Sequence, residues 1–128
     1  MKENQLSRWG AITRALPFTT GKIFLVVNGN DAWAAELLHE FPTDRDGVPR
    51  VYVTTASTTA NTSDLAIQAA LDACVTDRND YVIILPSPND YDLSATLTIS
   101  KRRSHLLCLE GMREQGGITA NYVRLHQN

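Results

Sequence analysis

Neither sign of charge dominates this chain of 128 residues. It has 12 lysines and arginines against 14 aspartates and glutamates, which gives a formal net charge of −2 at pH 7. A broad basic field that would neutralise phosphates is therefore lacking, and binding to nucleic acid is not expected. The one local basic run, residues 101–103, is interpreted as a solvated turn.

Long apolar segments are also lacking. The N-terminal segment 1–9 is polar and has no apolar core of the kind found in secretory signals. No apolar run approaches the length of a membrane span. We therefore expect a soluble protein without a membrane partner, made in a reducing cytoplasm.

Cysteine and histidine are scarce, and their spacing does not match the common metal sites. Cys74 and Cys108 lie far apart in apolar stretches, which is typical of buried small hydrophobic residues. His39, His105 and His126 have no partner at metal-ligand spacing. We expect neither a metal nor another cofactor.

Signatures of catalysis are missing as well. No Gly-x-Ser-x-Gly turn positions a serine nucleophile. No glycine-rich loop has the framing of a phosphate-binding motif. The chain is therefore not expected to be an enzyme.

One group of carboxylates leaves an alternative open. Asp90 and Asp92 flank Tyr91, and these three residues are the candidate sugar contacts of a carbohydrate-binding or pectate-lyase-like module. They follow the proline-rich segment 86–88, where aspartate is favoured because its side chain accepts hydrogen bonds from turn amides. A structural turn is the simpler interpretation.

An apolar fraction of 43% supports one packed domain, preceded by an arm. We place the arm at residues 1–20 and the domain at residues 21–128. The arm carries four large apolar residues that need a surface to cover them, on their own domain or on a neighbouring subunit. These candidate interface residues are Trp9, Ile12, Leu16 and Phe18.

The first part of the domain, residues 21–80, alternates strands and helices. Apolar runs rich in β-favouring residues predict strands at Lys22–Val27 and Val48–Thr54. Helical spacing predicts one helix that ends at Pro42 and a second from Asp64 to about residue 76. The residues expected on the buried face of the first are Trp33, Ala34, Leu37, Leu38 and Phe41, and those of the second are Leu65, Ile67, Ala70, Leu71, Cys74 and Val75.

The second part, residues 81–128, contains short apolar runs separated by polar turns and no helical pattern. A parallel β-solenoid needs such strands, because each coil buries its inner face only against its neighbours. A small antiparallel sheet fits the same pattern, so periodicity leaves both open. The predicted strands are Tyr81–Leu85, Leu93–Ile99, His105–Leu109 and Ile118–Leu125.

Several segments, taken together, resemble a known family. The chain from residue 21 to about residue 117 is similar to the opening of β-helical, pectate-lyase-like virion structural proteins of tailed bacteriophages. In that pattern a helix of the form Ile-Gln-Ala-Ala-Leu-Asp caps a solenoid whose first strand reads Asp-Tyr-Val-Ile-Ile-Leu-Pro. The matching segments are Gly21–Asn28, Phe41–Tyr52, Ala66–Cys74, Asn79–Pro86, Leu97–Ser100 and His105–Gly111.

The resemblance implies a fold and a role. The fold class would be α/β or mainly β, with an α/β cap of two helices (residues 21–80) followed by the first coils of a right-handed parallel β-helix (residues 81–128). The role would be that of a capsid-associated, decoration or head-fibre protein. Such a protein is made in the bacterial host cytoplasm, forms homo-oligomers, and contacts the major capsid protein or other virion proteins. An uncapped solenoid end would expose inner residues such as Ile118 and Tyr122 to a partner.

Overall fold

The computed structural model describes residue 16, residues 19–45, 47–57 and 62–109, and the short stretches 112–113, 120–121 and 125–127. These residues contain two helices, α1 (Ala34–Glu40) and α2 (Ser63–Ala73). The strands are β1 (Ile23–Val27), β2 (Arg50–Val53), β3 (Tyr81–Ile84), β4 (Tyr91–Leu93), β5 (His105–Cys108), β6 (Met112–Arg113), β7 (Ala120–Asn121) and β8 (Leu125–Gln127). The expected mixed α/β class is confirmed.

Four of these strands form one sheet in the order β2-β1-β3-β5, and every neighbouring pair is parallel. Ile23 of β1 lies opposite Tyr81 of β3, which in turn lies opposite His105 of β5. On the far side of β2, the amide of Val51 donates a hydrogen bond to the carbonyl oxygen of Phe41 at 3.0 Å. The outer edge of β2 is thus covered at that point by the end of α1.

Helix α1 covers one face of the sheet. Trp33, Leu37 and Phe41 recur once per helical turn, as the sequence predicts, and all three pack into one core cluster with Val51 and Ile83. Because the helix is only seven residues long, it rests on the sheet along this one stripe. Leu38 lies beside the stripe and stays 39% exposed, so its expected burial is wrong.

Helix α2 covers the opposite face. Its residues Ile67, Ala70, Leu71 and Cys74 are buried against a second cluster, as predicted. The predicted buried face was too wide, however. Leu65 is on the outer side of the helix and Val75 follows its end, and their exposed fractions are 63% and 47%. The sheet residues of the cluster are Phe24, Val26, Val82 and Ile84, and Tyr91 joins them from β4.

The chain therefore crosses the sheet on both faces, and the parallel strands give it two different edges. We call the loops that follow the strands the carboxyl edge (residues 28–33, 54–57 and 85–90). We call the loops that precede the strands the amino edge (residues 19–22, 42–49, 74–80 and 100–104). Between β1 and β3 the winding direction reverses, which is the place where open α/β sheets have their crevice.

Beyond β3 the remaining strands pair in two further ways. Strand β4 is parallel to β8, with Tyr91 opposite Leu125, and β6 is antiparallel to β7. A strand is predicted at Leu93–Ile99, but the structure has β4 at Tyr91–Leu93. The segment after it forms hydrogen bonds with α2 instead of a strand, through the amides of Ser94 and Thr98. The strand predicted at Ile118–Leu125 lies largely outside the described residues.

Two glycines test how closely the loops pack. A Cβ on Gly29 would overlap the carbonyl oxygen of Thr54. A Cβ on Gly47 would meet no atom within 4 Å, but Gly47 has a φ of +74°, a backbone conformation that other residues rarely adopt. We expect Gly29→Ala to lower the free energy of unfolding by about 3 kcal/mol through overpacking. Gly47→Ala should cost about 1 kcal/mol through its backbone conformation. Urea unfolding of both variants measures this, and equal losses would contradict the close contact at Gly29.

Candidate functional site

The carboxyl edge gathers polar side chains at the reversal between β1 and β3. Asn28 follows β1 directly, and Ser87 and Asn89 lie in the loop after β3. Asn28, Thr54 and Ser87 are 0%, 2% and 1% exposed. A ligand site in an open α/β sheet would be expected here, so the partners of these groups decide what the edge does.

The polar groups of this edge bind one another across the crevice. The Oδ1 atom of Asp31 accepts hydrogen bonds from the Ser87 hydroxyl and from the Asn89 side-chain amide, both at 2.7 Å. The side-chain amide of Asn28 donates to the carbonyl oxygen of Asp90 at 2.9 Å. The loops after β1 and β3 are thereby tied together.

The loop after β2 is joined to the same cluster. The amide of Gly29 donates to Oγ1 of Thr54 at 2.9 Å, and the amide of Ser57 donates to Oδ1 of Asn30 at 2.9 Å. Three consecutive strand ends are therefore fixed relative to one another by side chains. Hydrogen bonds between side chains and backbone thus hold the three loops together. The Ser87 hydroxyl, which donates to the Asp31 carboxylate, belongs to a residue that is only 1% exposed.

The amino edge has its own fixed point, the carboxylate of Asp80, which is fully buried. It accepts hydrogen bonds from the amide of Lys22 at 2.7 Å, from the amide of Val75 at 2.8 Å, and from Nε of Arg78 at 2.8 Å. Burial raises the pKa of Asp80, but these hydrogen bonds outweigh it and hold the pKa below its usual range. One carboxylate thus joins the starts of β1 and β3 to the end of α2.

Strands β3 and β5 are preceded by turns that stack on each other. Arg102 donates two hydrogen bonds to the carboxylate of Asp77, and the amide of Asp77 donates to the carbonyl oxygen of Arg102 at 2.7 Å. Asn79 and Arg103 occupy equivalent positions two residues before the paired Tyr81 and His105, and both have left-handed φ values, 66° and 64°. The two turns are therefore alike at this position, whereas Asp77 of the first turn has a further left-handed φ of 67° that is not found at Lys101, the matching position of the second.

The same ladder continues in the side chains. The rings of Tyr81 and His105 stack with centroids 4.4 Å apart and an interplanar angle of 23°. Nε2 of His105 lies 2.8 Å from Oδ1 of Asn79, and the side-chain amide of Asn79 donates to Oγ1 of Thr19 at 3.1 Å. Of these contacts, the Tyr81–His105 stack joins residues at equivalent positions of the two strands.

Strand β5 is the outermost strand of the sheet and is half covered. Leu106 packs against the α2-side cluster, whereas Leu107 on the other face is 41% exposed. Cys108 is exposed as well, so its predicted burial is wrong, since no helix lies over the end of β5 in the described part of the chain. Cys74 is buried as predicted, and burial raises the pKa of its thiol to about 11, which leaves no thiolate for catalysis.

The predicted interface residues are only partly described. Leu16 packs against the α1-side core cluster, so this residue of the arm is covered by its own domain. Trp9, Ile12 and Phe18 of the arm lie outside the described residues, as do Ile118 and Tyr122.

The predicted sugar contacts do not form a common surface. Tyr91 is 0% exposed and lies in the α2-side cluster, so it cannot offer its ring to a sugar. Its hydroxyl donates to the carbonyl oxygen of Leu85, and burial raises its pKa well above the ordinary value. Asp90 and Asp92 are partly exposed on either side of it, at the end of the carboxyl edge.

The described residues hold neither a metal-binding cluster nor a helix that could span a membrane. No group of three histidine, cysteine or acidic side chains converges on a point that would hold a metal ion, within the residues that the structure describes. Among the same residues, neither α1 nor α2 has the length and apolar character needed to cross a bilayer. Comparison with protein-family models, with curated proteins and with solved structures gives no match.

The Asp80 contacts generate a prediction about acid stability. Because the pKa of Asp80 is lower in the folded state, its contribution is present above the unfolded value of 3.8 and is lost as pH falls through the folded pKa. We expect Asp80→Asn to lower the free energy of unfolding at pH 7 by about 2 to 4 kcal/mol. The loss should shrink as unfolding is measured at progressively lower pH.

A matched control is available in the same turn. Asp77 is exposed and bonds to Arg102, so Asp77→Asn should change stability at pH 7 much less than Asp80→Asn. Similar losses for the two variants in denaturant titrations would contradict the special role of Asp80.

Proposed function

We propose that this chain is a virion structural protein of a tailed bacteriophage, of the capsid-associated, decoration or head-fibre type, and that it acts by packing and self-association. The observation that carries the proposal is the in-register pairing of β5 with β3, with the Tyr81 and His105 rings stacked and a left-handed residue two positions before each of them. Solenoids are stabilised by stacking of this kind, because each repeat packs on its neighbour.

The finer fold that we propose is the cap and first coils of a right-handed parallel β-helix. In support, the chain passes from β3 to β4 and later from β5 to β8, and β5 pairs with β3 while β8 pairs with β4. Both pairings are parallel, which an antiparallel meander would not give. Helix α2 lies over Tyr91 and the sheet, as a capping helix would.

An assembly role also agrees with how the polar groups are used. Asn28, Asp31, Ser87 and Asn89 make hydrogen bonds within the carboxyl edge, and Asp80 makes its bonds within the amino edge. Solenoid ends and sheet edges, by contrast, are surfaces that other strands can join. We therefore expect the partner to contact the outer edge of β5.

The edge of β5 can be tested with a matched pair of substitutions. Lysine on an edge strand opposes strand addition, so Leu107→Lys should weaken self-association by at least about tenfold. Leu65→Lys also replaces an exposed leucine, but on the outer side of α2, and should leave association unchanged. Light scattering at roughly 0.5 M salt, where ionic contacts are screened, measures the molar mass of both variants.

Thermal unfolding of each variant confirms that it is folded. A monomeric parent protein, or equal effects of the two lysines, would sink self-association through β5. The virion assignment has a separate test, which is detection of the chain by peptide mass spectrometry in purified particles of the phage that encodes it.

The arm supplies a second proposed contact. Because Leu16 packs on its own domain, the contact would come from Trp9, Ile12 and Phe18. A chain that begins at residue 16 and also carries Phe18→Ser keeps the Leu16 contact but loses all three residues. It should unfold at nearly the temperature of the full chain, but should form smaller oligomers by light scattering. An unchanged mass would exclude the arm from assembly.

A further inference from the structure

The two edges of the sheet differ in charge, although the whole chain is nearly neutral. All lysines and arginines between residues 19 and 109 lie in the loops of the amino edge or at the first position of a strand that starts there. The carboxyl edge and the segments that adjoin it carry only acidic charges in that part of the chain. The basic residues are Lys22, Arg45, Arg50, Arg78, Lys101, Arg102 and Arg103, and the acidic ones of the carboxyl edge and the segments that adjoin it are Asp31, Glu36, Asp64, Asp90 and Asp92. The amino edge also holds Asp44, Asp46, Asp77 and Asp80, so its seven basic and four acidic residues leave it at +3.

Part of the basic charge is already neutralised. Lys22 pairs with Asp44 at 2.8 Å, Arg78 pairs with the buried Asp80, and Arg102 pairs with Asp77. Of the other four cations, Arg50 lies over the Tyr52 ring at 4.4 Å from its centroid, and Arg45, Lys101 and Arg103 form no ion pair with any residue that the structure describes.

The sheet sets the spacing of the unpaired cations. Arg45 precedes β2 at one side of the sheet, and Lys101 and Arg103 precede β5 at the other side, three strand spacings away. With neighbouring strands about 4.8 Å apart, the cations span roughly 15 Å along the amino edge. Arg45 and Arg103 are exposed, and Lys101 is partly exposed.

The acidic residues lie at the opposite end of the strands, at or next to the carboxyl edge. Glu36 lies in the first turn of α1, next to the carboxyl edge, and Asp92 lies in β4 just after it. Both are partly exposed, whereas Asp64 is buried against Ser94. Opposite charges at opposite ends of parallel strands attract copies that are stacked in the same direction.

We propose that the amino edge of one copy docks on the acidic carboxyl edge of a second copy, in a head-to-tail contact along the strand direction. The proposal rests on the self-association proposed above and adds a second, ionic surface to it. Because the two surfaces differ, the contact is heterologous and repeats from copy to copy. It should strengthen as salt is lowered, since the charges are exposed.

A charge-swap experiment tests this contact. One variant reverses the basic edge (Arg45→Glu with Arg103→Glu), and another reverses the acidic end (Glu36→Lys with Asp92→Lys). At roughly 0.02 M salt the parent should have a higher molar mass by light scattering than at roughly 0.5 M. Each variant alone should lose this increase, with association at least about tenfold weaker, because the exposed charges that attract the two ends to each other are reversed at one end.

Mixing the two variants should restore the increase, because each reversed end then meets a complementary partner. A control, Glu40→Lys with Asp72→Lys, changes net charge as much as the acidic-end variant, but near the C-terminal ends of the two helices. The control should retain the low-salt increase.

Three outcomes would overturn the head-to-tail contact. They are a parent mass that does not depend on salt, a mixture that stays dissociated, and a single-stranded DNA probe that binds the parent but not the basic-edge variant. The last would assign the amino edge to a polyanion. None of them bears on the β5 contact, which is measured at high salt, so the two proposals fail separately.

Discussion

The buried carboxylate of Asp80 is the contact on which the arrangement of the layers depends. Its oxygens accept hydrogen bonds from the start of β1, from the end of α2 and from the turn that leads into β3. An ionised group without contact to water is stable only when hydrogen-bond donors surround it, and here two of the three are backbone amides. The position of α2 over the sheet and the register of β1 against β3 are thus set at one point.

The parallel sheet places all strand starts on one side and all strand ends on the other. The loops on the two sides are stabilised by different contacts. At the carboxyl edge, hydrogen bonds from side chains such as Asn28 and Asp31 hold the loops together. At the amino edge the turns before β3 and β5 stack on each other through Asp77 and Arg102.

Much of this fold could be predicted from the sequence, because strand runs and one helical stripe are local patterns. Trp33, Leu37 and Phe41 identify the buried face of α1, and the apolar run from Ile23 identifies β1. The predicted burial of Leu65 and Val75 is wrong, because apolar spacing does not tell how wide a helix face the sheet can cover. The prediction of Tyr91 as a sugar contact fails for a related reason, because only the fold brings this residue under α2 and buries it.

The roles of Asp80 and Asn28 could not be predicted, because their partners are distant in sequence: Lys22 for Asp80, and the backbone at Asp90 for Asn28. The stacking of Tyr81 on His105 has a further consequence for how the chain tolerates change. Residues at matching positions of the two turns share one environment, so their substitutions should be non-additive. Asn79 and Arg103 share a left-handed backbone, and Asp77 and Arg102, which do not match in position, are coupled by an ion pair. In related chains, these positions are therefore expected to vary as pairs rather than one at a time.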